Sequence, residues 1–300
     1  MDFKFNASYG TLTKYVDQLA DGFLPSTVGK VRTLDYINIV PDVKYSKVIT
    51  TLDSTINFSD ASSCATFSSN STSSMSGTTI TTAYIKAEDK ICLNEMEQYW
   101  LGKYMRPGSN QTSIPFEQAF MDEKMNKIAA KLDTTFWQGN AGLGITSAYA
   151  AISASGEAVK VSAQFTSSAT IIAAVDAFLD AIPSSVSSEE LVLFVDQAAF
   201  DLYTRGIRNA NYYTFSPDEI NGGAVRVYGK RNVTMVATVG AQSGRGVLCR
   251  PEYLFWGTDL APTEEPIAAQ YDFVQDALLL RYKVKIGSAA AFKSTFVINY

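Results

Sequence analysis

Three cysteines, two pairs of neighbouring glutamates and two glycine-rich turns are where this sequence could do chemistry. Cys64, Cys92 and Cys249 could act as thiolate nucleophiles or soft metal ligands, but they stand far apart and no C-x-x-C spacing joins any two of them. A nucleophilic cysteine or serine also needs a base beside it, and none of the 300 residues is a histidine. The Ser–His and Cys–His pairs and every His-ligated metal are thereby excluded. Odd in number and dispersed, the cysteines are read as reduced thiols, the default in a cytoplasm.

The glycine-rich turns fail in context. "GAQSGRG" (240–246) lacks the Lys-Ser/Thr ending of a phosphate loop and opens no helical pattern, and its Ser243 is not in a G-x-S-x-G elbow. "GNAGLG" (139–144) follows a helix, the wrong setting for a dinucleotide fingerprint. Glu95 with Glu97, and Glu189 with Glu190, are read as solvated surface. No catalytic, cofactor-binding or metal-binding residue is singled out, and no cofactor is expected.

Charge and composition narrow the classes further. Hydrophobic residues make up 46% and charged residues 18%, too apolar for disorder, and the length allows a sizeable core. The net charge of −5 argues against a dedicated nucleic-acid binder. The segment 196–250 nonetheless carries seven basic residues (Arg205, Arg208, Arg226, Lys230, Arg231, Arg245, Arg250) against four acidic ones. Nucleic-acid contact and salt bridges between subunits both remain open for it, without the row of aromatics that single-strand binders use. The N-terminus lacks a basic stretch followed by an apolar run. The most apolar window, "ATIIAAVDAFLDAI", is interrupted by Asp176 and Asp180 and is too short for a bilayer, so no membrane role is expected. The N-x-S/T sequons at Asn6, Asn57, Asn70, Asn110 and Asn232 are read as chance in a Ser/Thr-rich chain.

The elements that must carry the function are unusual in length. Within 50–82, nineteen of thirty-three residues are Ser or Thr, with no Lys, Arg or Pro and one glycine, Gly77. That composition fits either a low-complexity loop or strands, since threonine suits a pleated surface. Thr50, Leu52 and Ser54 alternate outward and Thr78, Ile80, Thr82 and Tyr84 alternate back. The reading is a long two-stranded hairpin with its tip near Ser68 to Ser76. Next, Met121, Met125, Ile128, Leu132 and Phe136 follow a helical stripe from Pro115 to a terminating Gly139. The stripe predicts one helix over 115–138, about 36 Å long.

Beyond residue 160 the pattern becomes mixed. Ile171, Val175, Phe178 and Ile182 form a stripe ending at Pro183, and "LVLFV" (191–195) reads as a strand buried on both faces. Asp196 is placed to cap a helix carrying Phe200, Tyr203 and Ile207, and "AVRVYG" and "VTMVATV" read as strands. In the last segment Leu278, Leu280, Tyr282, Val284 and Ile286 share one face, opposite Arg281, Lys283 and Lys285.

The order of an arm, a Ser/Thr-rich hairpin, a long helix ending in "LDTTFWQGNAGLGI", an α/β unit and a return strand resembles the major capsid proteins of tailed bacteriophages, the Hong Kong 97-type fold. Asp133, Phe136, Trp137, Gly139, Asn140 and Gly144 match that family's turn after its spine helix. "LVLFVDQAAFDLYTR", with Gly222, Gly223, Val227 and Gly229, resembles its axial domain, and "ALLLRYKVKIGSAAAFKSTFVINY" its closing strand. The resemblance implies an α+β fold divided into an N-terminal arm (1–42), an extended loop (43–86), a peripheral domain (87–162 and 263–300, with spine helix 115–138) and an axial domain (163–262). It implies a non-enzymatic protein that assembles with itself as hexamers and pentamers into an icosahedral shell around double-stranded DNA in the host cytoplasm. A separate scaffolding protein, a portal and a decoration protein are the further partners it implies. Some members crosslink through a lysine on the extended loop, but 48–85 holds none, so non-covalent contacts are expected. Because the chain starts at Met1, no cleaved N-terminal scaffolding segment is expected. An encapsulin-like compartment shell, or another surface or tail structural protein, are the alternatives.

Overall fold

The computed structural model describes residues 31–58, 70–92, 116–154, 156–210, 223–230, 232–259, 267–272 and 277–299. Two sheets and a separate hairpin organise them. A five-stranded sheet joins β1 (Asn38–Val40), β10 (Leu254–Thr258), β12 (Ala277–Ala290), β11 (Ile267–Asp272) and β4 (Ala83–Cys92) around the long β12. A six-stranded sheet runs β5 (Val159–Val161), β13 (Val297–Asn299), β9 (Gly246–Cys249), β6 (Leu191–Asp196), β8 (Val233–Thr238), β7 (Ala224–Arg226). The hairpin pairs β2 (Ser46–Thr55) only with β3 (Thr72–Thr81).

Helix α1 runs unbroken over Phe116–Gln138, and Gly139, at φ +71°, ends it in the left-handed conformation the sequence called for. Met125, Ala129, Leu132 and Phe136 are buried along one side, with Ile128 half-buried at its margin. Pro115 and the side chain of Met121 lie outside the described residues. The helix and the short α2 (Ala148–Ser153) pack on β12.

The apolar run 191–195 is a central strand, parallel to β8 and antiparallel to β9. Its alternation separates two cores. Leu191, Leu193 and Val195 pack beneath α3 (Ile171–Asp180) and α4 (Gln197–Asn209), while Val192 and Phe194 face α1, α2 and Trp256. A strand covered on both sides needs apolar residues at every position. Asp196 caps α4 by accepting from the Ala199 amide at 3.2 Å, and Phe200, Tyr203 and Ile207 are buried below it.

Three expectations change. The hairpin ladder runs from Ser46↔Thr81 to Thr55↔Thr72, so Thr72 to Ser76 lie in β3 and the turn falls within 56–71, of which 59–69 are outside the described residues. Tyr84 sits beyond the returning strand, in β4 opposite Lys285, because the chain breaks step at Thr82. The division between the domains also moves. β13, from the expected peripheral segment, is held between β5 and β9, whereas β10, from the expected axial segment, pairs with β12. Of the arm, 1–30 lie outside the described residues, but Val31, Leu34 and Ile37 are buried in the shared core.

Candidate functional site

The hairpin is the feature that no core explains. It is anchored at its root. The Val43 amide donates to the Thr258 carbonyl at 2.9 Å, the Thr82 hydroxyl donates to the Val43 carbonyl at 2.9 Å, and Ile80 is wholly buried. Gly257 and Gly287 are cross-strand partners in β10 and β12. A Cβ on Gly257 would stand 2.6 Å from Ile80 Cδ1. Together they leave a notch in which the end of β3 lies against the sheet.

Lys285 finishes the anchor. Expected on the polar side of β12, it is instead buried, its amino group 3.3 Å from the Asp259 carboxylate, 2.8 Å from the Lys44 carbonyl it donates to, and 4.1 Å from the centre of the Tyr84 ring. The Tyr84 side chain, and after it Asp259, hold the Lys285 amine above the ordinary lysine range against the opposing cost of burial.

Beyond the root the two faces of the hairpin differ. Residues opposite each other in the ladder share a face, as do alternate residues along a strand. One face carries Val48, Leu52 and Met75, exposed at 62%, 62% and 74%, with Leu52 directly across from Met75. The other carries Lys47 with Ile80 and Ile49 with Thr78 at the root, the isoleucines against the body, and continues as Thr51, Asp53, Thr55, Thr72, Ser74 and Ser76. There the Thr51 and Ser76 hydroxyls lie 2.7 Å apart, satisfying each other across the strands. Past the last rung, Ile56 and Phe58 are exposed at 70% and 98%.

A second assembly of side chains joins the long helix to the six-stranded sheet. The Thr33 hydroxyl donates to Asp133 Oδ1 at 2.5 Å and accepts from Trp137 Nε1 at 3.0 Å. Asp133 Oδ2 accepts from the Gly240 amide at 2.8 Å, and Gln138 Nε2 donates to the Gly240 carbonyl at 3.1 Å. Burial raises the Asp133 carboxyl above the usual range, more than these hydrogen bonds lower it. Phe136 stacks on Trp256 with ring centres 4.8 Å apart, and Trp137 is fully enclosed. The glycine-rich 240–246 is therefore the turn between β8 and β9, pinned to the helix.

A groove of about 240 Å³ lies between α1 and the β4–β12 pair. Lys124, Lys127 and Lys131 rim it from the helix and Arg281 from β12, over Ile128 and Tyr282. Lys124 pairs with Asp89, and Arg281 Nε lies 2.7 Å from Glu88. The 124, 127, 131 spacing is a one-face helical pattern that the sequence reading did not take up.

The seven basic residues of 196–250 do not share one role. Arg250 pairs with Glu252 at 2.8 Å and Glu189 at 3.7 Å, Arg245 lies over the Tyr149 ring, and Arg231 lies outside the described residues. Arg205, Arg208 and Arg226 are exposed, and Glu190 is exposed as well. Cys249 is a buried thiol whose pKa burial pushes up, whereas Cys64, the side chain of Cys92, Glu95 and Glu97 lie outside the described residues. Among the described residues no group of three or more Cys, Asp or Glu side chains is placed to hold a metal, and no helix is long and apolar enough to cross a membrane.

No protein-family model matches the sequence, and no curated protein matches it. Solved structures do match. The satellite phage P4 procapsid that includes the size-determination protein is 12% identical with a TM-score of 0.59, covering 97% of each chain. A structure of Gordonia phage Cozz is 13% identical with a TM-score of 0.59, over 89% of this chain and 85% of that one. The crystal structure of a virus-like particle from Pyrococcus furiosus is 9% identical with a TM-score of 0.56, over 96% of this chain and 100% of that one. The chain thus has the mixed helix-and-sheet fold of phage capsid structures.

Proposed function

We propose that this chain is a major capsid protein, a subunit that assembles with copies of itself into the icosahedral shell of a tailed phage. The observation that carries the reading is the ten-rung hairpin, anchored at its root yet uncovered by other described residues along its length, in a fold whose solved counterparts include capsids. An isolated two-stranded hairpin is marginal in water, so a second chain is what gives it lasting order. The function is assembly, and no residue is assigned a catalytic role. Hexamers and pentamers, a separate scaffolding protein and a portal are the partners this reading requires, with a decoration protein as an optional one. A net charge of −5 suits a wall along which packaged double-stranded DNA slides without sticking. The hairpin and its root would form the extended loop, the five-stranded sheet with α1 the peripheral part, and the six-stranded sheet with α3 and α4 the axial part.

The test is expression alone and with the genes beside it, followed by electron microscopy. A shortened chain joins Ile49 to Thr78, which are cross-strand partners, through an Asn-Gly turn. It should fold and stay soluble yet close no shells. Normal particles from the shortened chain would defeat the reading. Particles filled with a protein cargo in place of DNA would move it to a compartment shell.

A further inference from the structure

We infer that the outer face of the β4–β12 pair, carrying Lys86, Lys90, Arg281 and Lys283, is a contact surface for the phosphate backbone of nucleic acid. The inference takes its partner, the packaged DNA, from the shell reading and says where on the subunit the contact falls.

The register builds the face. Lys86 stands opposite Lys283, Glu88 opposite Arg281, and Lys90 opposite Leu279. Cross-strand partners share a side of the sheet, as do alternate residues along a strand. Tyr282 and Val284 pack into the core shared with α1, so Arg281 and Lys283 point away from it. Lys86, Glu88, Lys90, Arg281 and Lys283 are all exposed. The rung of Tyr84 and Lys285 closes the face at the hairpin root, and Asp272 joins it only at the far end, opposite Ala277. Between those ends the bases surround Glu88 alone, on a chain whose net charge is −5.

Two observations set this face apart from an ordinary solvated one. Glu88 pairs with Lys86 at 2.9 Å and with Arg281 at 2.7 Å, while no ion pair among the described residues reaches Lys283. Lys86 and Lys283 are thus like charges directly across from each other, which destabilises a sheet. Edge protection does not account for the pattern either. Lysines on an outermost strand discourage pairing with another sheet, which would explain Lys86 and Lys90. Arg281 and Lys283, however, stand on β12, which has β4 on one side and β10 and β11 on the other. An anion seated between Lys86 and Lys283 turns their repulsion into attraction on both sides.

Chemistry selects the occupant. A stable protein partner needs an apolar centre and roughly 800 Å² per side. Here the centre is Glu88, Arg281, Lys86 and Lys283, and the strand from Lys86 to Lys90 spans only about 13 Å. A phosphate backbone needs neither apolar surface nor breadth, only cations in a row. A contact this small on an acidic subunit stays at the strength of non-specific binding, which lets the duplex slide along the wall.

The experiment follows the anisotropy of a short fluorescent DNA duplex of arbitrary sequence, mixed with free subunits across a salt series. Lys283→Gln should weaken binding about fivefold near about 50 mM salt and flatten the slope of log affinity against log salt by about 1. Lys283→Glu should abolish binding. Both variants should keep the wild-type melting midpoint or exceed it, because each relieves the clash with Lys86, so lost binding is not lost folding. Lys160→Gln removes an exposed charge from β5 and should bind as wild type does. Unchanged affinity and slope in Lys283→Gln, or an equal loss in Lys160→Gln, overturns the inference. So does tighter binding of poly-glutamate than of the duplex at equal charge, which would assign the face to an acidic protein segment. Particle formation judges the shell reading separately. Normal particles with a failed binding series sink this contact alone. A wild-type chain that forms no particle, with or without its neighbouring gene products, overturns the shell reading and removes packaged DNA as the partner.

Discussion

Gly257 and Gly287 face each other across β10 and β12, and the end of the projecting hairpin rests on the pair. A methyl group on Gly287 would stand 2.0 Å from the Thr81 carbonyl oxygen, which is backbone and cannot swing aside. Gly287→Ala should therefore lift the hairpin root and cost about 1–3 kcal/mol in denaturant unfolding. Gly257→Ala should cost less, since its nearest obstacle is the end of the Ile80 side chain. Equal midpoints for Gly287→Ala and wild type would show that the root does not sit in this notch.

Asp133 predicts a pH dependence with a definite sign. Its folded-state pKa is raised by burial, so between the unfolded and folded values the folded chain keeps a proton that the unfolded chain has released. Stability attributable to this group therefore falls as pH rises through that window and returns on acidification. Asp133→Asn has no such proton. Melting midpoints of wild type should gain on those of Asp133→Asn as pH is lowered from neutral towards the ordinary carboxylate range. Parallel curves would refute the assignment.

Trp137 and Tyr149 touch, with ring centres 5.8 Å apart, but should respond oppositely to truncation. Trp137 is fully buried and donates to Thr33, so Trp137→Ala should cost about 3–5 kcal/mol. The buried Tyr149 hydroxyl has no hydrogen-bond partner among the described residues. Removing it in Tyr149→Phe should leave stability unchanged or raise it, as read from urea midpoints. A loss above about 1 kcal/mol would mean that the hydroxyl is satisfied after all.

The last strand predicts an asymmetry between truncation and substitution. Phe296, Val297 and Ile298 are buried, and Asn299 accepts from the Gly246 amide and donates to the Ala163 and Gly244 carbonyls. Deleting 296–300 should leave β5 without a neighbour and yield insoluble protein. Asn299→Ala should fold and lose about 1–3 kcal/mol, since it removes the partner of the Gly246 amide and a donor to the Ala163 and Gly244 carbonyls. A soluble truncated chain with native circular dichroism would argue against this role for β13.

What could be read in the sequence was local. The stripe from Met125 to Phe136, the apolar run at Leu191 to Val195 and the cap at Asp196 each carry their period or chemistry within a few residues. The hairpin was legible as strands, but its register was not. In so Ser/Thr-rich an alternation Leu52 and Met75 form the one rung of two large apolar residues, too little to fix the register from sequence, and so the turn was placed too late. The exchange of β10 and β13 between sheets left no local mark, because a three-residue strand such as "VIN" reads the same in either. Lys285 was misplaced for a related reason: alternation gives its face but not Asp259, Tyr84 and the Lys44 carbonyl, which arrive from three other parts of the chain.

The two-sidedness of β6 has a mechanical consequence. Leu193 and Phe194 are adjacent in the chain yet belong to different cores, so neither core can loosen without exposing the other's wall. Amide protons of β6, β8 and β9 should exchange only through global opening, at one common free energy, while those of β2 and β3 beyond Ile80 exchange orders of magnitude sooner in the free subunit. Force applied through the hairpin would thus reach both cores of the subunit as a single load.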